Sequence, residues 1–216
     1  PDGELTQVNL SGVIVNPEAF RQLMDYLEEN LNQNDALVLS GNAAEGITGD
    51  HFEELCALGN RKGARLVVDT SEGYMLRTLK YHPWLVQPDI HEMSVLLSGK
   101  YKGAEDAATM CGKELRQRGA SNVLIRDGLE GTVLVSEEGL YYADPLEGQL
   151  GHTVGAGDAL LAGFLVRYHD TGSIRKAFEY AVACFSAATF SEGLGTKEEA
   201  EALLQQVYVG YKEEKR

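Results

Sequence analysis

The sequence is short of cations and cysteines and contains no long apolar run, and each shortage excludes a class of protein. Lysine and arginine number 19 against 33 aspartates and glutamates, so the formal net charge is −14. Sequence-independent binding of nucleic acid needs a basic surface, so we expect no nucleic-acid partner. No apolar run approaches the ~20 residues of a membrane-spanning helix, and we expect no membrane partner either.

The cysteines exclude a disulfide framework and a thiolate metal site. Cys56, Cys111 and Cys184 lie far apart, are odd in number and lack metal-like spacing. We therefore expect reduced thiols packed inside a cytoplasmic protein. The polar opening 1–4 predicts that there is no signal peptide. Because the chain lacks an initiator Met and enters a strand-like segment at 5–10 almost at once, we expect it to be part of a longer protein.

The first part of the sequence alternates short apolar runs with segments of helical period. We predict strands at 36–39, 65–68, 84–86 and 122–125. The apolar spacing predicts helices that begin at Asn16-Pro17, run through Phe52 and Cys56, and cover 74–79, 92–97 and 104–115, the last stopping at Gly119. Short continuous strands separated by helices indicate an α/β fold with a mostly parallel sheet, covered by helices on both faces.

The second part adds a hairpin and three helices. Runs at 132–135 and 140–142 flank Glu138-Gly139 and predict the hairpin, and apolar stripes predict helices over 160–168, 174–185 and 197–207. We find no internal repeat and no linker, so we expect a single domain over 1–211 and a charged tail at 212–216.

Polar residues end four of the predicted strands. They are Ser40, Asp69, Gln87 and Arg126. In parallel sheets ligands bind beyond the carboxyl ends of the strands, so these side chains are candidates to face a site. Any one of them alone is better read as a helix cap or turn residue, but four together favour a site.

The segment 152–164 carries the most chemical information. Gly155, Ala156 and Gly157 immediately precede a long apolar helix, where unpaired first-turn amides and the helix dipole attract an anion such as phosphate. Asp158 in that first turn is stabilised as a carboxylate and can accept a proton from a hydroxyl. Composition alone leaves open a second interpretation, a glycine-rich turn whose acidic residue merely favours the helix dipole.

This segment resembles the C-terminal signature of the ribokinase-like (PfkB) carbohydrate kinases. Further segments resemble the branch that contains 1-phosphofructokinase and tagatose-6-phosphate kinase, namely 2–10, 38–41, 67–71 and 193–195. The resemblance implies a three-layer α/β/α ribokinase-like fold whose N-terminal part is missing here, with 1–12 as a remnant of the lid region. The chain has neither a Walker A pattern nor the protein-kinase motifs, which excludes those kinase classes.

The resemblance also implies roles for individual residues. Asp158 is implied to be the catalytic base and Gly155, Ala156 and Gly157 the anion hole, while Glu92 helps to place Mg²⁺. The residues implied to bind the nucleotide are Asp89, Arg126, Gly128, Gly131 and Gly195. The implied reaction is ATP-dependent phosphorylation of a sugar-phosphate hydroxyl, with ATP and Mg²⁺ as cofactors.

Several positions depart from the family pattern. Gln87-Pro88-Asp89 stands where the family has Lys-Pro-Asn, Arg126 replaces a small hydroxyl residue, 42–44 replaces Ser-Leu-Pro, and His152 replaces Asn or Asp. The N-terminal strands, much of the sugar site and part of the lid are missing. An alternative is therefore a non-catalytic nucleotide-binding or regulatory relative. The identity of the sugar stays open, and the resemblance allows a homodimer.

Overall fold

The computed structural model describes residues 12–90, 93, 104–126, 131–151 and 154–213. The helices are α1 (Pro17–Asn30), α2 (Gly49–Lys62), α3 (Glu72–Thr78), α4 (Ala104–Gln117), α5 (Ala156–Thr171), α6 (Ile174–Phe190) and α7 (Lys197–Leu204). The strands are β1 (Ala36–Ser40), β2 (Arg65–Asp69), β3 (Leu85–Val86), β4 (Asn122–Arg126), β5 (Thr132–Val135), β6 (Leu140–Ala143) and β7 (Val209–Lys212). The predicted α/β class is confirmed.

The described residues form a seven-stranded sheet in the order β1-β2-β3-β4-β5-β6-β7. Strands β1 to β4 pair in parallel, whereas β5, β6 and β7 each pair antiparallel with the strand before. The sheet is therefore mixed rather than mostly parallel. The predicted hairpin is the cause, because a short turn can join only antiparallel strands while parallel neighbours need a crossover.

Alternate residues of the strands face two helical layers. Val67, Leu85 and Leu124 pack against α5 and α6 on one face, while Val68 and Val86 belong to a second cluster with α3 and α4. A third cluster joins α1 and α2 to the edge strand β1 and to its neighbour β2. Because side chains alternate along a strand, this arrangement covers both faces of the sheet, as the apolar runs predicted.

The helix starts agree with their local sequence signals. Asn16 caps α1 by accepting a hydrogen bond from the Ala19 amide at 2.8 Å, and Pro17 takes the first helical position. Helix α3 begins two residues before the predicted start and continues into a 3₁₀ turn, Leu79–Tyr81. The start of α1 at Asn16-Pro17 is confirmed, and the difference at α3 is of the size expected for a frayed helix end.

The end of the described chain corrects the prediction. Helix α7 ends at Leu204 rather than at 207, and residues 209–212 form β7, which the sequence pattern did not predict. Lys212 thus belongs to the sheet rather than to a charged tail. The strand is four residues long with only Val209 and Gly210 buried. Gly210 is needed because a Cβ there would meet the ring of Tyr142, and a glycine weakens any strand signal.

Three predictions lie outside the described residues, namely the strand at 5–10, the helix at 92–97 and the tail beyond 213. In the part of the chain that the structure describes, none of the helices has the length and apolar character needed to cross a bilayer.

Candidate active site

The four polar residues that end the parallel strands lie at one edge of the sheet. Ser40 is paired with Asp69 in the register of β1 and β2, and its hydroxyl donates to Asp69 Oδ2 at 3.1 Å. The next turn is held in the same way, because Thr70 Oγ1 donates to the Gly41 carbonyl at 2.7 Å. The bond from Ser40 holds the Asp69 carboxylate at the carboxyl ends of β1 and β2. The bond from Thr70 holds together the two turns that follow these strands.

Helix α5 begins at the same edge. Gly155 is its N-cap with φ of 80°, a left-handed conformation that glycine adopts without strain, and its carbonyl accepts from the Ala159 amide at 2.9 Å. A Cβ on Gly155 would also lie 2.6 Å from Leu194 Cδ2. Asp158 lies in the first turn and its side chain is exposed. The left-handed turn therefore favours glycine, whereas the exposed Leu194 side chain could move away from a Cβ.

The strand ends and the start of α5 enclose a cavity of about 330 Å³, the strand-end cleft. Its lining residues are Gly41, Asn42, Asp69, Thr70, Ser71, Gln87, Pro88, Asp89, Arg126, Gly155, Gly157 and Asp158. Three of these are aspartates and one, Arg126, is a cation. The start of a helix, carboxylates and a cation therefore line one cleft, and these are the kinds of group that phosphoryl transfer uses.

The strand-end cleft is electrostatically unusual at Asp69. Burial raises the pKa of the Asp69 carboxyl above its ordinary value, the Ser40 hydroxyl lowers it, and the nearby charge of Asp158 raises it further. The Arg126 guanidinium acts in the opposite direction on the same pKa. The largest of these effects on the pKa of Asp69 is burial, and a cation bound beside the carboxylate would oppose it.

Gln87 connects the sheet to the start of α5. Its Nε2 donates to the Gly157 carbonyl at 3.0 Å, across 70 residues of sequence. Its backbone amide donates to the Val68 carbonyl at 2.9 Å, which continues the ladder between β2 and β3. The side chain therefore ties the first turn of α5 to the end of a buried strand.

A second cavity of about 340 Å³ lies between the hairpin side of the sheet and α6. This apolar cavity is lined by Gly131, Thr132, Asp144, Pro145, Leu146, Glu147, Gly148, Leu150, Val182, Phe185, Ser186, Thr189 and Phe190. Gly131 has φ of 129°, and a Cβ there would lie 2.6 Å from the Ala143 carbonyl oxygen. Its glycine lets the chain enter β5 beside this cavity.

Arg126 links the two cavities. It lines the strand-end cleft, and its guanidinium carbon lies 5.8 Å from the centroid of the Phe185 ring, which lines the apolar cavity. This distance is that of a cation–π contact. A ligand that placed a charged group in the strand-end cleft and an apolar group in the apolar cavity would therefore contact Arg126 and Phe185 where its two groups are joined.

The structure brings most of the predicted site residues together. Asp158, Gly155, Gly157, Asp89 and Arg126 line the strand-end cleft. The backbones of Asp89 and Arg126 also form a parallel bridge. The side chain of Ala156 is buried beneath the same turn. Most of the residues that the sequence predicts to form one site at the strand ends therefore lie in or beneath a single cleft.

Other predicted residues lie elsewhere. Gly195 lines a separate cavity near α7, and a Cβ there would lie 2.6 Å from the Ala187 carbonyl carbon. Glu92 and Gly128 lie outside the described residues. Gly195 therefore packs against α6 rather than lining the strand-end cleft.

The sequence analysis did not identify the apolar cavity. The apolar spacing over 174–185 predicts a helix there and says nothing of a cavity beside Phe185, Phe190 or Leu150. The available signal was weak, because a phenylalanine on a buried helix face reads as core. Only the packing of α6 against the hairpin side of the sheet reveals that Phe185 borders a cavity.

Comparisons with known proteins agree with this geometry. The profile of the pfkB family carbohydrate kinases matches residues 6–201. A 1-phosphofructokinase of Bacillus subtilis is 31% identical over 207 residues, which cover 96% of this chain and 68% of the relative. A D-tagatose-1-phosphate kinase of Bacillus licheniformis is 31% identical over 173 residues, 80% of this chain and 57% of the relative.

A solved structure gives the same result for the fold. Phosphofructokinase-2 from Escherichia coli, in complex with potassium, superposes with a TM-score of 0.86 at 25% identity. The match covers 94% of this chain and 67% of that chain. The ribokinase-like fold is confirmed, and this chain spans roughly two thirds of the length of such relatives, or less.

Proposed function

This chain belongs to the pfkB family of carbohydrate kinases, which are phosphotransferases, and on that premise we propose that it carries the phosphoryl-transfer site of an ATP-dependent sugar-phosphate kinase. The observation that carries the proposal is the strand-end cleft, where Asp158 and the glycines that begin α5 meet the ends of the parallel strands. Base and anion-binding amides are then adjacent, which is the arrangement that in-line transfer of a phosphoryl group requires.

In the proposed reaction a sugar hydroxyl attacks the terminal phosphorus of ATP. The new P–O bond forms as the bond to the ADP oxygen breaks, and the hydroxyl proton passes to the Asp158 carboxylate. The first-turn amides of Gly155, Ala156 and Gly157 stabilise the transferred group, since helix N-termini bind anions. Gly195 assists indirectly, because its packing on α6 places Leu194 beside Gly155.

We propose that the nucleotide spans both cavities. Its phosphates lie near Arg126 and Asp89 in the strand-end cleft, and its base enters the apolar cavity past Phe185 and Gly131. The contact between Arg126 and Phe185 supports this assignment, because one pair of side chains borders both spaces. Gly128, outside the described residues, is proposed to bind the same nucleotide.

The donor set fits Mg²⁺. Among the described residues, no three carboxylate, imidazole or thiolate groups are arranged to hold a metal alone. Mg²⁺ is usually held by one or two carboxylates together with substrate phosphates, so Asp69 and Asp89 suffice, with Glu92 proposed to assist. Asp69, whose pKa is raised by burial and by Asp158, would gain most from a cation. When bound, Mg²⁺ neutralises charge on the phosphates.

We propose a ketohexose phosphate as the acceptor, because the relatives named above are 1-phosphofructokinase and D-tagatose-1-phosphate kinase. Suitable probes are D-fructose 1-phosphate, D-tagatose 1-phosphate and D-tagatose 6-phosphate. A cytoplasmic location suits the use of ATP and the free thiols of Cys56, Cys111 and Cys184. The homodimer stays a prediction, which sedimentation of the purified protein tests.

The test is Asp158→Asn, with Asp170→Asn in the last turn of the same helix as the matched control. We expect the first change to lower kcat by about 10²–10⁴ while ADP binding, measured by calorimetry, stays within a factor of two of the original. The control should alter neither. Near-normal turnover of Asp158→Asn would refute the assignment of the base.

A second candidate function, a nucleotide-binding or regulatory relative, is supported by the unusual charge of the strand-end cleft. Its described lining contains three aspartates and one cation, Arg126. The same calorimetry discriminates the two. Binding of ADP without transfer from ATP to any of the three sugar phosphates would favour the regulatory function.

A further inference from the structure

The side chain of Gln87 has one satisfied end and one unsatisfied end. It is 8% exposed and lies just beyond β3, on the lining of the strand-end cleft. Its Nε2 donates to the Gly157 carbonyl at 3.0 Å. Its Oε1 is buried and has no hydrogen-bond partner. The Gln87 amide therefore makes a hydrogen bond through its nitrogen and none through its oxygen.

The hydrogen bond to Gly157 determines which end of the amide is left over. A carbonyl oxygen can only accept, so the group that faces Gly157 must be the NH₂ of Gln87. A flipped amide would place two acceptors against each other at the same distance. The unsatisfied atom is therefore an acceptor, and it is held in place by the bond made at the other end.

A buried acceptor without a donor destabilises a protein, so such atoms are usually satisfied by a neighbour, a water or a ligand. The aspartates that share the lining, Asp69, Asp89 and Asp158, are acceptors when ionised and cannot fill this need. A phosphate dianion also only accepts. Arg126, Asn42 and Ser71 also line the cleft and carry donors, but none of them is bonded to Oε1. The missing partner must therefore be a bound group that carries an O–H or N–H.

We propose that Gln87 is a positioning residue that also binds a reactant: Nε2 holds the Gly157 carbonyl, and Oε1 accepts a hydrogen bond from an O–H group in the strand-end cleft. This inference rests on the proposed function. That reaction brings two O–H donors here, a hydroxyl of the sugar phosphate and a water on the divalent cation. Either would complete the bridge between sheet, ligand and helix start.

The proposal explains what the replacement of lysine by glutamine at this position changes. A lysine ammonium can donate to the Gly157 carbonyl and to phosphate but has no acceptor. Glutamine keeps the donor to Gly157 and adds a buried acceptor in a residue that lines the strand-end cleft. The residue thereby selects a neutral O–H donor where lysine would select an anion.

The principal test is Gln87→Met, which removes both ends of the amide with little change in volume. Two ligand measurements distinguish the sources of the O–H group. The first is the Mg²⁺ concentration that half-saturates ADP binding in calorimetry. The second is the KM for D-fructose 1-phosphate. Loss of one neutral hydrogen bond should raise one of these about 3- to 10-fold.

The pattern of the two measurements identifies the donor. A raised Mg²⁺ requirement with unchanged KM assigns the O–H group to a cation-bound water. A raised KM with unchanged Mg²⁺ requirement assigns it to the sugar. If both stay within a factor of two, the proposal is overturned, whereas phosphoryl transfer from ATP by the unmutated protein would still uphold the proposed function.

Gln87→Lys removes the acceptor of the side chain but keeps a donor, so it tests the acceptor without the loss of stability that Gln87→Met could cause. It retains a donor for Gly157, so we expect the thermal midpoint to stay near that of the original while the same ligand constant rises.

Asn122→Leu is the matched control. Asn122 is also buried and donates Nδ2 to the Trp84 carbonyl at 2.8 Å, but at the opposite end of the strands. This variant should melt earlier and leave both ligand constants unchanged. A fall in stability without any ligand effect in Gln87→Met would reduce Gln87 to a structural tie and refute the proposal.

Discussion

The strand-end cleft and the apolar cavity have similar volumes, about 330 and 340 Å³, and opposite chemistry. The first lies where the parallel strands end, so it collects the polar residues that follow buried strands. The second lies beside β5, where the sheet has become antiparallel, and it is bordered by aromatic and aliphatic side chains of α6 and the 144–150 segment. The change of strand direction thus separates a charged space from an apolar one.

Arg126 and Phe185 are in contact at the boundary between these two cavities. Strand β4 is parallel to β3 on one side and antiparallel to β5 on the other, and Arg126 is its last residue. The residue therefore belongs to both halves of the sheet. On the proposed function, the nucleotide, charged at one end and flat and apolar at the other, would bind where the sheet changes from parallel to antiparallel.

The largest effect is expected when the charge of Arg126, which lies between the strand-end cleft and the apolar cavity, is removed. We expect Arg126→Ala to weaken ADP binding by about 10- to 100-fold, because hydrogen bonds to charged groups are worth about 1.5–3 kcal/mol. Arg126→Lys should lie in between, since it keeps the charge but loses the planar guanidinium. Calorimetry with ADP and Mg²⁺ measures both variants.

A matched control exists on the other face of α6. The Arg167 guanidinium carbon lies 4.0 Å from the ring centroid of Tyr180, and neither residue lines the strand-end cleft or the apolar cavity. Arg167→Ala removes the same kind of contact and should leave ADP affinity unchanged. Equal losses in the two variants would mean that Arg126 acts through net charge or folding rather than by contact.

The parallel half of the molecule was largely predictable from sequence, and the antiparallel half less so. Continuous apolar runs such as 66–68 identify buried strands, and topology alone places the residues that follow three of the runs, Asp69, Gln87 and Arg126, in the strand-end cleft. Strand β7 escaped prediction because Gly210 interrupts a run of four and is required by the ring of Tyr142, a contact between residues distant in sequence.

A smaller effect is expected when only the apolar side of the boundary is changed. Phe185→Leu preserves most of the packing against the core but removes the aromatic ring. We expect ADP affinity to fall about 3- to 10-fold, as for loss of an aromatic contact, and affinity for inorganic tripolyphosphate to stay the same. A parallel loss for tripolyphosphate would show that Phe185 acts on Arg126 and not on the base.

The site itself was predictable to the extent that it depends on local sequence. The glycine at 155 and the acid at 158 predicted a phosphate-binding helix start, and both residues line the strand-end cleft. The sequence also identified Gln87 as a candidate. It could not reveal that its amide reaches Gly157, because that bond depends on how α5 lies against the end of β3.

The smallest expected effect concerns Asp69, on the charged side. Burial, reinforced by the charge of Asp158, holds the pKa of Asp69 above its ordinary value in the folded protein. A raised carboxyl pKa means that the folded state binds the proton more tightly than the unfolded state. The stability contributed by protonation is complete below the ordinary pKa and is lost as the pH rises through the folded value.

Asp69→Asn should therefore melt at a higher temperature than the original protein at pH 7, since the amide is neutral and still accepts from Ser40. The difference should shrink as the pH is lowered through the pKa of Asp69, which thermal melts between pH 3.5 and 7 would follow. Ser40→Ala provides the complementary variant, because loss of a hydroxyl that lowers this pKa should move the convergence to higher pH. A lower melting temperature for Asp69→Asn at pH 7 would mean that the carboxylate's own contacts outweigh its burial, and the strand-end cleft would then hold its negative charge without needing a cation.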